Sequence, residues 1–359
     1  TSSGLVGSEM CIRDRLRAKG IKVLTPFVDL TSGLHMAEAP LLETARQMGV
    51  SRAEAESAFQ KALQQQTWCL EEMQAIGQKA LQALEADPQK SAVVMFGRPY
   101  NAFADEAHMG IPHKLASRGV LVIPLDFLPL DGWDAKRHMY WGMGQRILKA
   151  ARLVEKHPQL FGTFITNFSC GPDSFIVGYF RDIMGRKPSL TLELDSHTAD
   201  AGLETRIEAF LDIVAVYRQL VAKTATVPAK YAYTQARTQV RNGTAKVVTS
   251  SGENLPMTHP RVKHLLPSMG RITTDAVTAI FRSQGFHTVL HPPADEAVLK
   301  LGRANTSCKE CLPLIITTGT LLDYIAHQKQ DDEVLVYCMA TASGPCRFGQ
   351  YAIFMEDLI

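Results

Sequence analysis

Apolar residues recur at helical spacing through the first quarter of the chain. From Ala37 to Glu85 they return every three or four positions. The repeat is clearest near its end, at Leu70, Met73, Ile76, Leu81 and Leu84. Ser51 followed by Glu54 has the spacing of a capping box, which marks a helix start. This pattern predicts a mostly helical segment over residues 16–90.

After residue 90 short apolar runs alternate with helical stretches. Strands are predicted at 92–96, 120–123, 162–166, 189–192, 262–266, 286–290 and 334–338. Such alternation is typical of a parallel sheet covered by helices on both faces. We therefore predict an α/β fold with two Rossmann-like lobes and mostly parallel sheets, plus the N-terminal helical segment. The first lobe is predicted at 91–222, a linker at 223–245, and a second, truncated lobe at 246–359.

Composition and charge narrow the class of protein. The chain has 359 residues, 46% hydrophobic and 21% charged, with a net charge of +2. This balance, with no basic stripe, argues against a nucleic-acid partner. No apolar run reaches the ~18 residues that cross a bilayer, so no membrane association is predicted. Seven cysteines are too few for a disulfide scaffold and fit a reducing, cytoplasmic compartment. Residues 1–15 lack periodicity and are predicted to be an artefactual leader, like a translated sequencing adapter.

Three cysteines, Cys170, Cys311 and Cys346, each lie beside a proline where a strand-like run gives way to a helix-like one. A cysteine at a helix start faces unpaired N–H groups and the positive end of the helix dipole, and both favour the thiolate. Thiolates bind iron and zinc. Ligands in doubly wound sheets gather beyond the carboxyl ends of strands, where these cysteines are predicted to lie. The leading hypothesis is a soft-metal centre, most simply an iron–sulfur cluster.

The segment Cys308-Lys-Glu-Cys311 is a C-x-x-C motif with several interpretations. It suits cluster ligation, half of a zinc site, or a dithiol pair. Cys308 is ambiguous because it precedes the predicted helix start by more than Cys311 does. Cys338 falls inside a strand pattern, so core packing is favoured over metal binding for it. The C-x-x-C motif alone therefore leaves these alternatives open.

A loop of polar character, residues 97–101, follows the first predicted strand and contains Arg98. Arg98 is predicted either to meet an acidic ligand or the negative charge of a cluster, or to form a surface salt bridge. The chain has no Walker A sequence, dinucleotide fingerprint or nucleophile elbow, so no catalytic residue is assigned.

Five motifs in order resemble the acyl-CoA dehydratase activase-related proteins. They read FGRPYN at 96–101, NFSCGPDSF at 167–175, LELDSHTADAG at 192–202, KECLP at 309–313 and GPCRFGQY at 344–351. These proteins are similar to the iron–sulfur subunits of 2-hydroxyacyl-CoA dehydratases and to double-cubane cluster proteins. The resemblance runs from about residue 19 to the end of the chain.

The resemblance implies a 4Fe–4S cluster, or half of a double-cubane cluster, in an anaerobe. Its metal ligands would be Cys170, Cys311 and Cys346, with Cys308 as a further candidate, and the loop that contains Arg98 makes this arginine a candidate contact of the cluster. It further implies an ATPase activator of the actin/Hsp70-like type, fused or separate, as partner.

On this basis the chain is predicted to be a low-potential iron–sulfur reductase or dehydratase-like component. It would receive electrons from the ATP-dependent activator, with acyl-CoA as candidate substrate. The alternative hypothesis is a non-catalytic electron-transfer or cluster-carrier protein without a substrate of its own. A structural zinc protein is a third possibility.

Overall fold

The computed structural model describes residues 8–30, 32–169, 171–223, 236–241, 243–268, 270–307, 309–344 and 346–359. The chain divides into two compact units, residues 1–76 and 77–359.

The first unit is helical. Its elements are α1 (Ser8–Ala18), a short 3-10 helix (Leu34–Ala37), α2 (Glu38–Gln47) and the first part of α3 (Arg52–Glu85). The predicted capping box at the start of α3 is confirmed. The Ser51 hydroxyl donates to a Glu54 carboxylate oxygen at 2.6 Å, and the same carboxylate accepts from the Ser51 N–H at 3.2 Å. Cys69, on α3, is exposed, so it is available as a reference thiol.

The second unit contains a four-stranded parallel sheet. Its strands are β1 (Ala92–Phe96), β2 (Leu121–Pro124), β3 (Leu160–Asn167) and β4 (Ser189–Leu194), in the order β2-β1-β3-β4. The helices that belong to this sheet are α4 (Pro99–Ala102), α5 (Asp105–His108), α6 (Ile111–Ala116), α7 (Gly142–Lys156), α8 (Asp173–Met184) and α9 (Asp200–Lys223). A 3-10 turn at Leu125–Phe127 follows β2.

Both faces of this sheet are covered. Successive residues of a strand point to opposite faces, and β1 is buried along its whole length. Val94 and Phe96 pack in one core with α7 and α8, whereas Val93 and Met95 pack in a second core with α6 and α9. The continuous apolar run that predicted a buried strand is explained by this arrangement.

A second parallel sheet has three strands, β8 (Val262–Leu266), β9 (His287–Leu290) and β10 (Val334–Tyr337), in the order β10-β8-β9. Its helices are α10 (Arg271–Ser283), α11 (Glu296–Ala304) and α12 (Leu312–His327). A 3-10 turn (Arg347–Gln350) and α13 (Tyr351–Leu358) close the described chain. The α/β fold with parallel sheets and an N-terminal helical segment is therefore confirmed.

Between the parallel sheets the chain forms a small antiparallel sheet of β5 (Arg237–Arg241), β6 (Thr244–Val248) and β7 (Asn254–Pro256). β5 and the start of β6 lie in the range predicted as a linker. Residues 224–235 of that range are outside the described residues. Val247 and Leu255 are buried in a small core with Val262 of β8.

The helix that follows Cys311 is held by two glycines at a close crossing of α11 and α12. A Cβ atom at Gly302 would lie 2.0 Å from the Ile315 carbonyl oxygen, and one at Gly319 would lie 2.1 Å from that of Val298. Any larger residue would push the helices apart. These glycines therefore fix the position of α12, and with it the start of that helix at Cys311.

In the described ranges, every helix is too short or too polar to span a lipid bilayer.

Lys187 is a buried cation, and its pKa gives a test of the packing between α7 and β4. Its ammonium donates to the carbonyl oxygens of Val154 at 2.6 Å, Glu155 at 3.3 Å and also His157. Burial lowers the pKa of Lys187 from 10.5 to about 8. The unfolded chain therefore holds more protons than the native chain between these values, and native stability should rise with pH there.

We expect Lys187→Met to remove this rise. Between pH 7.5 and about 9.5 the native chain should gain up to about 2 kcal/mol of unfolding free energy relative to the variant. Urea denaturation at several pH values measures the difference. Parallel stability curves for the two proteins would contradict the assignment of a depressed lysine pKa.

Candidate functional site

The loops after β1 and β3 meet at the carboxyl edge of the first sheet. Phe96 pairs with Phe164 in the parallel register, so β1 ends three residues before the end of β3. Gly97 follows with φ +145°, and a Cβ there would lie 2.5 Å from the Ile165 carbonyl oxygen. Only glycine fits this contact. It brings the next residue, Arg98, against the end of β3.

Arg98 forms an ion pair inside the protein. Its Nε lies 2.9 Å from Oδ1 of Asp173, and its Nη2 donates to Oδ2 at 3.3 Å. The Asp173 side chain is fully buried, and that of Arg98 is 18% exposed. Burial raises the pKa of Asp173, while a hydrogen bond from Thr166 (2.6 Å) and the Arg98 charge oppose that rise. Arg98 thus makes a largely buried ion pair with a residue of the chain, in place of the predicted surface salt bridge.

A cavity of about 350 Å³ adjoins this ion pair. It is lined by residues from the loops that carry the predicted ligands and from the start of α7, among them Arg98, Tyr140, Trp141, Pro172 and Gly344. Pro172 is two residues from Cys170, and Gly344 is two residues from Cys346. A second cavity, of about 800 Å³, shares Tyr140 and is bordered by residues 341–343. The predicted site region is therefore concave.

The loop between β3 and α8 has a strained backbone. Phe168 and Ser169 have φ values of 57° and 49°, in the left-handed region that non-glycine residues rarely adopt. Phe168 is exposed, whereas Ser169 is buried and its hydroxyl donates to Glu193 at 2.8 Å. Cys170, the next residue, lies outside the described residues. The strain on its N-terminal side marks this turn as a functional candidate.

Cys311 lies directly before α12 and has an extended backbone, with φ −68° and ψ 142°. Pro313 follows in the first turn of the helix. The Cys311 sulfur is 2.8 Å from the Tyr351 hydroxyl oxygen, a hydrogen bond that connects the α12 start to α13. The thiol is half-buried. The helix start predicted at this cysteine is therefore present.

Cys346 lies directly before the 3-10 turn at Arg347–Gln350 and is exposed. Its carbonyl oxygen accepts a hydrogen bond from the Tyr140 hydroxyl at 2.6 Å. Its backbone, with φ −72° and ψ 133°, is similar to that of Cys311. Cys346 thus also occupies a helix start, but one that opens to solvent.

The charges of both Cys311 and Cys346 affect the pKa values of two phenols, Tyr351 and Tyr140. Burial raises the pKa of Tyr351, and the hydrogen bond to Cys311 and the charges of both cysteines raise it further. Burial likewise raises the pKa of Tyr140, with further contributions from both cysteines and an opposing hydrogen bond from Gln350. The pKa values of both phenols therefore depend on both cysteines.

The predicted ligand set is only partly visible. Cys311 and Cys346 are described, and Cys170 and Cys308 lie outside the described residues. Among the residues that the structure describes, no group of three or more His, Cys, Asp or Glu side chains is placed to hold a metal ion. Cys338 is half-buried at the end of β10, where burial raises its pKa.

Sequence reasoning overlooked three residues of this site: Tyr140, Tyr351 and Arg347. Tyr351 and Arg347 lie within the GPCRFGQY motif, so their nearness to Cys346 was a usable signal. Tyr140 is 206 residues from Cys346, and nothing in the local sequence indicates that contact.

Comparison with known proteins adds one finding. Residues 5–128 match the family model described as the CoA enzyme activase uncharacterised domain. The match covers about the first third of the chain, here called the activase-related range. Neither the curated proteins nor the solved structures gave a significant match. The matched range includes Arg98 and ends before the four predicted ligand cysteines.

This match corrects the predicted function. A chain that itself carries an activase-type domain is not the iron–sulfur dehydratase-like component that a separate activator supplies with electrons. That prediction and its electron-transfer or cluster-carrier alternative are therefore wrong. The predicted ATPase activator partner is not supported either, because the activase-type match lies on this chain and not on a separate protein.

The buried ion pair generates a prediction for stability. Arg98→Met would leave the Asp173 carboxylate buried without its cation, which costs about 3–5 kcal/mol of unfolding free energy. Arg98→Met combined with Asp173→Asn should recover most of this loss, because no buried charge remains. Urea denaturation at constant pH measures both effects.

Arg146→Met is the matched control. Arg146 pairs with Asp126 at 2.7 Å but is 42% exposed, so its loss should cost no more than about 1 kcal/mol. Equal losses for the Arg98 and Arg146 variants would contradict the structural importance of the buried pair.

Proposed function

We propose that this chain is an activase-type component of a CoA-dependent enzyme system, which acts on a partner enzyme and does not itself transform the acyl-CoA. The observation that carries this proposal is the match of residues 5–128 to the CoA enzyme activase domain. The partner that best fits the resemblance is a 2-hydroxyacyl-CoA dehydratase component, whose substrate is a CoA thioester.

The geometry of the second unit supports a role that requires contact with another molecule. Cys346 is exposed, and Cys311 is half-buried. Phe168 and Tyr100 are large aromatic residues that remain exposed next to Cys170 and Arg98. Exposed apolar groups gathered around a concave region are typical of interaction sites.

The 4Fe–4S cluster stays a proposal for the cofactor, with Cys170, Cys311 and Cys346 as its ligands and Cys308 as a further candidate. The donor chemistry fits: two thiols at helix starts, close to the same phenols, are soft ligands for iron or zinc. When bound, an iron–sulfur cluster supplies a one-electron redox couple. Tyr351, whose hydroxyl is hydrogen-bonded to the Cys311 sulfur, would orient that ligand.

Metal analysis tests the cofactor. After anaerobic reconstitution with iron and sulfide, we expect Cys311→Ser and Cys346→Ser to lose most of the bound iron and acid-labile sulfide, because each removes a thiolate ligand. Cys69→Ser, which alters an exposed thiol in the helical unit, should load as the unaltered chain does. Full loading of both site variants would contradict the ligand assignment. If the unaltered chain bound zinc and no acid-labile sulfide, the cofactor would be a zinc ion and not a cluster.

Activation of a partner tests the function. A purified 2-hydroxyacyl-CoA dehydratase in its inactive state is mixed anaerobically with the full chain, with and without ATP, and dehydration of its acyl-CoA is followed. We expect dehydration to depend on the added chain, by at least about tenfold over dehydratase alone. Cys69→Ser serves as a control that should activate normally. Turnover of the acyl-CoA by the chain alone, or no effect of the chain on the dehydratase, would overturn the proposal.

A further inference from the structure

Arg347, the residue after Cys346, makes hydrogen bonds to two distant parts of the chain. Its Nη1 donates to the Ser174 hydroxyl at 2.9 Å and to the Lys309 carbonyl oxygen at 3.4 Å. The side chain is half-buried. In sequence, these partners are 173 and 38 residues away. One guanidinium therefore connects three separate segments.

The two acceptors belong to the other cysteine loops. Ser174 is four residues after Cys170, in the first turn of α8. Its hydroxyl donates to the Gly171 carbonyl oxygen at 2.8 Å, so a lone pair is left to accept from Arg347. Lys309 lies two residues before Cys311. Arg347 thus donates hydrogen bonds to the first turn of α8, which follows Cys170 in sequence, and to the segment before Cys311, while it follows Cys346 itself.

A second set of contacts links the same two loops. The Lys309 ammonium pairs with Glu193 at 2.9 Å, and Glu193 also accepts from the Ser169 hydroxyl at 2.8 Å. Ser169 immediately precedes Cys170. The loops of Cys170 and Cys311 are therefore joined on one side by Glu193 and on the other by Arg347. Arg347 also brings in the segment of Cys346.

Arg347 differs from the neighbouring cations in its partners. Arg98 and Lys309 each pair with a carboxylate. Within the described ranges no carboxylate lies within 4 Å of the Arg347 guanidinium, which binds neutral oxygens instead. Its charge acts on Tyr351, whose pKa it lowers against the larger effects that raise it.

We propose that Arg347 is the positioning residue that holds the start of α8 and the segment before Cys311 against the segment of Cys346. This inference concerns the site of the proposed function and rests on it in that respect, but the hydrogen bonds that carry it require neither a cofactor nor a partner enzyme. Arginine suits this role because its planar guanidinium presents several N–H donors in fixed directions. A lysine side chain is shorter and presents a single ammonium, so it would hold the loops less firmly.

The test measures how close the thiols are. Phenylarsine oxide reacts with two neighbouring thiols, forming two As–S bonds and releasing one water molecule. The full, metal-free, reduced chain is titrated with this reagent, and peptide mapping identifies the bridged cysteines. We expect a tight product in which Cys346 is bridged to a cysteine of another loop. Failure of the unaltered chain to bridge Cys346 in this way would overturn the proposal.

Variants identify the contribution of Arg347. Arg347→Gln should weaken arsenical binding at Cys346 by at least about tenfold, and Arg347→Lys should fall between the two, because hydrogen bonds to a charged group are lost or lengthened. Arg186→Gln, which removes an exposed arginine next to α8, should bind as the unaltered chain does. Unchanged binding by Arg347→Gln would overturn the proposal.

A second variant covers the case in which Arg347→Gln does not fold. Ser174→Ala removes one acceptor and leaves the arginine in place, and it should weaken arsenical binding by several-fold at an unchanged thermal midpoint. No weakening in this variant would count against the proposal. Since the titration involves no dehydratase, a failure here leaves the activation experiment, and thus the proposed function, as a separate result.

Discussion

The buried carboxylate of Asp173 constrains the carboxyl edge of the first sheet. It is fully buried and receives a hydrogen bond from Thr166, on β3, and the cation of Arg98, from the loop after β1. A buried charge without such partners costs several kcal/mol, so loss of either the Thr166 hydrogen bond or the Arg98 ion pair would destabilise the native chain. As Asp173 is also the first residue of α8, one side chain fixes a strand end, a loop and a helix start.

The turn between β3 and α8 depends on this constraint. The turn of Cys170 lies between Thr166 and Asp173, both ends of which are held by one short hydrogen bond. With the ends fixed, the left-handed backbone of Phe168 and Ser169 is tolerated there. Strain in a turn persists only when its surroundings determine the conformation, which is what the ion pair provides.

The sequence indicated the fold more completely than the site. Buried parallel strands such as β1 are continuous apolar runs, so their presence could be predicted from the order of apolar residues in the sequence. The hairpin of β5 and β6 was overlooked because its exposed strands, with Arg237 and Arg241, lack apolar periodicity. An Asn-Gly pair at 242–243 was the available signal, since that dipeptide favours a two-residue hairpin turn. The helix starts at Cys311 and Cys346 followed from their neighbouring prolines.

The contacts between side chains could not be predicted from local sequence patterns. Arg98 could be recognised as a candidate, yet its partner is 75 residues away and only the fold brings the two together. The Cys311–Tyr351 bond spans 40 residues and joins two motifs that were read separately. Nothing in the spacing of charges indicates that Arg347 binds neutral oxygens and not a carboxylate. Such contacts arise from packing, which is a property of the whole second unit.

The buried ion pair also connects the two lines of evidence about function. The activase-related range ends at residue 128 and contains Arg98, but none of the predicted ligand cysteines. Asp173, the partner of Arg98, begins the helix that follows Cys170. A displacement of the Arg98 loop would therefore leave a buried carboxylate unpaired beside the cysteine turn. The Arg98–Asp173 ion pair thus joins the loop after β1, which lies within the activase-related range, to the start of α8.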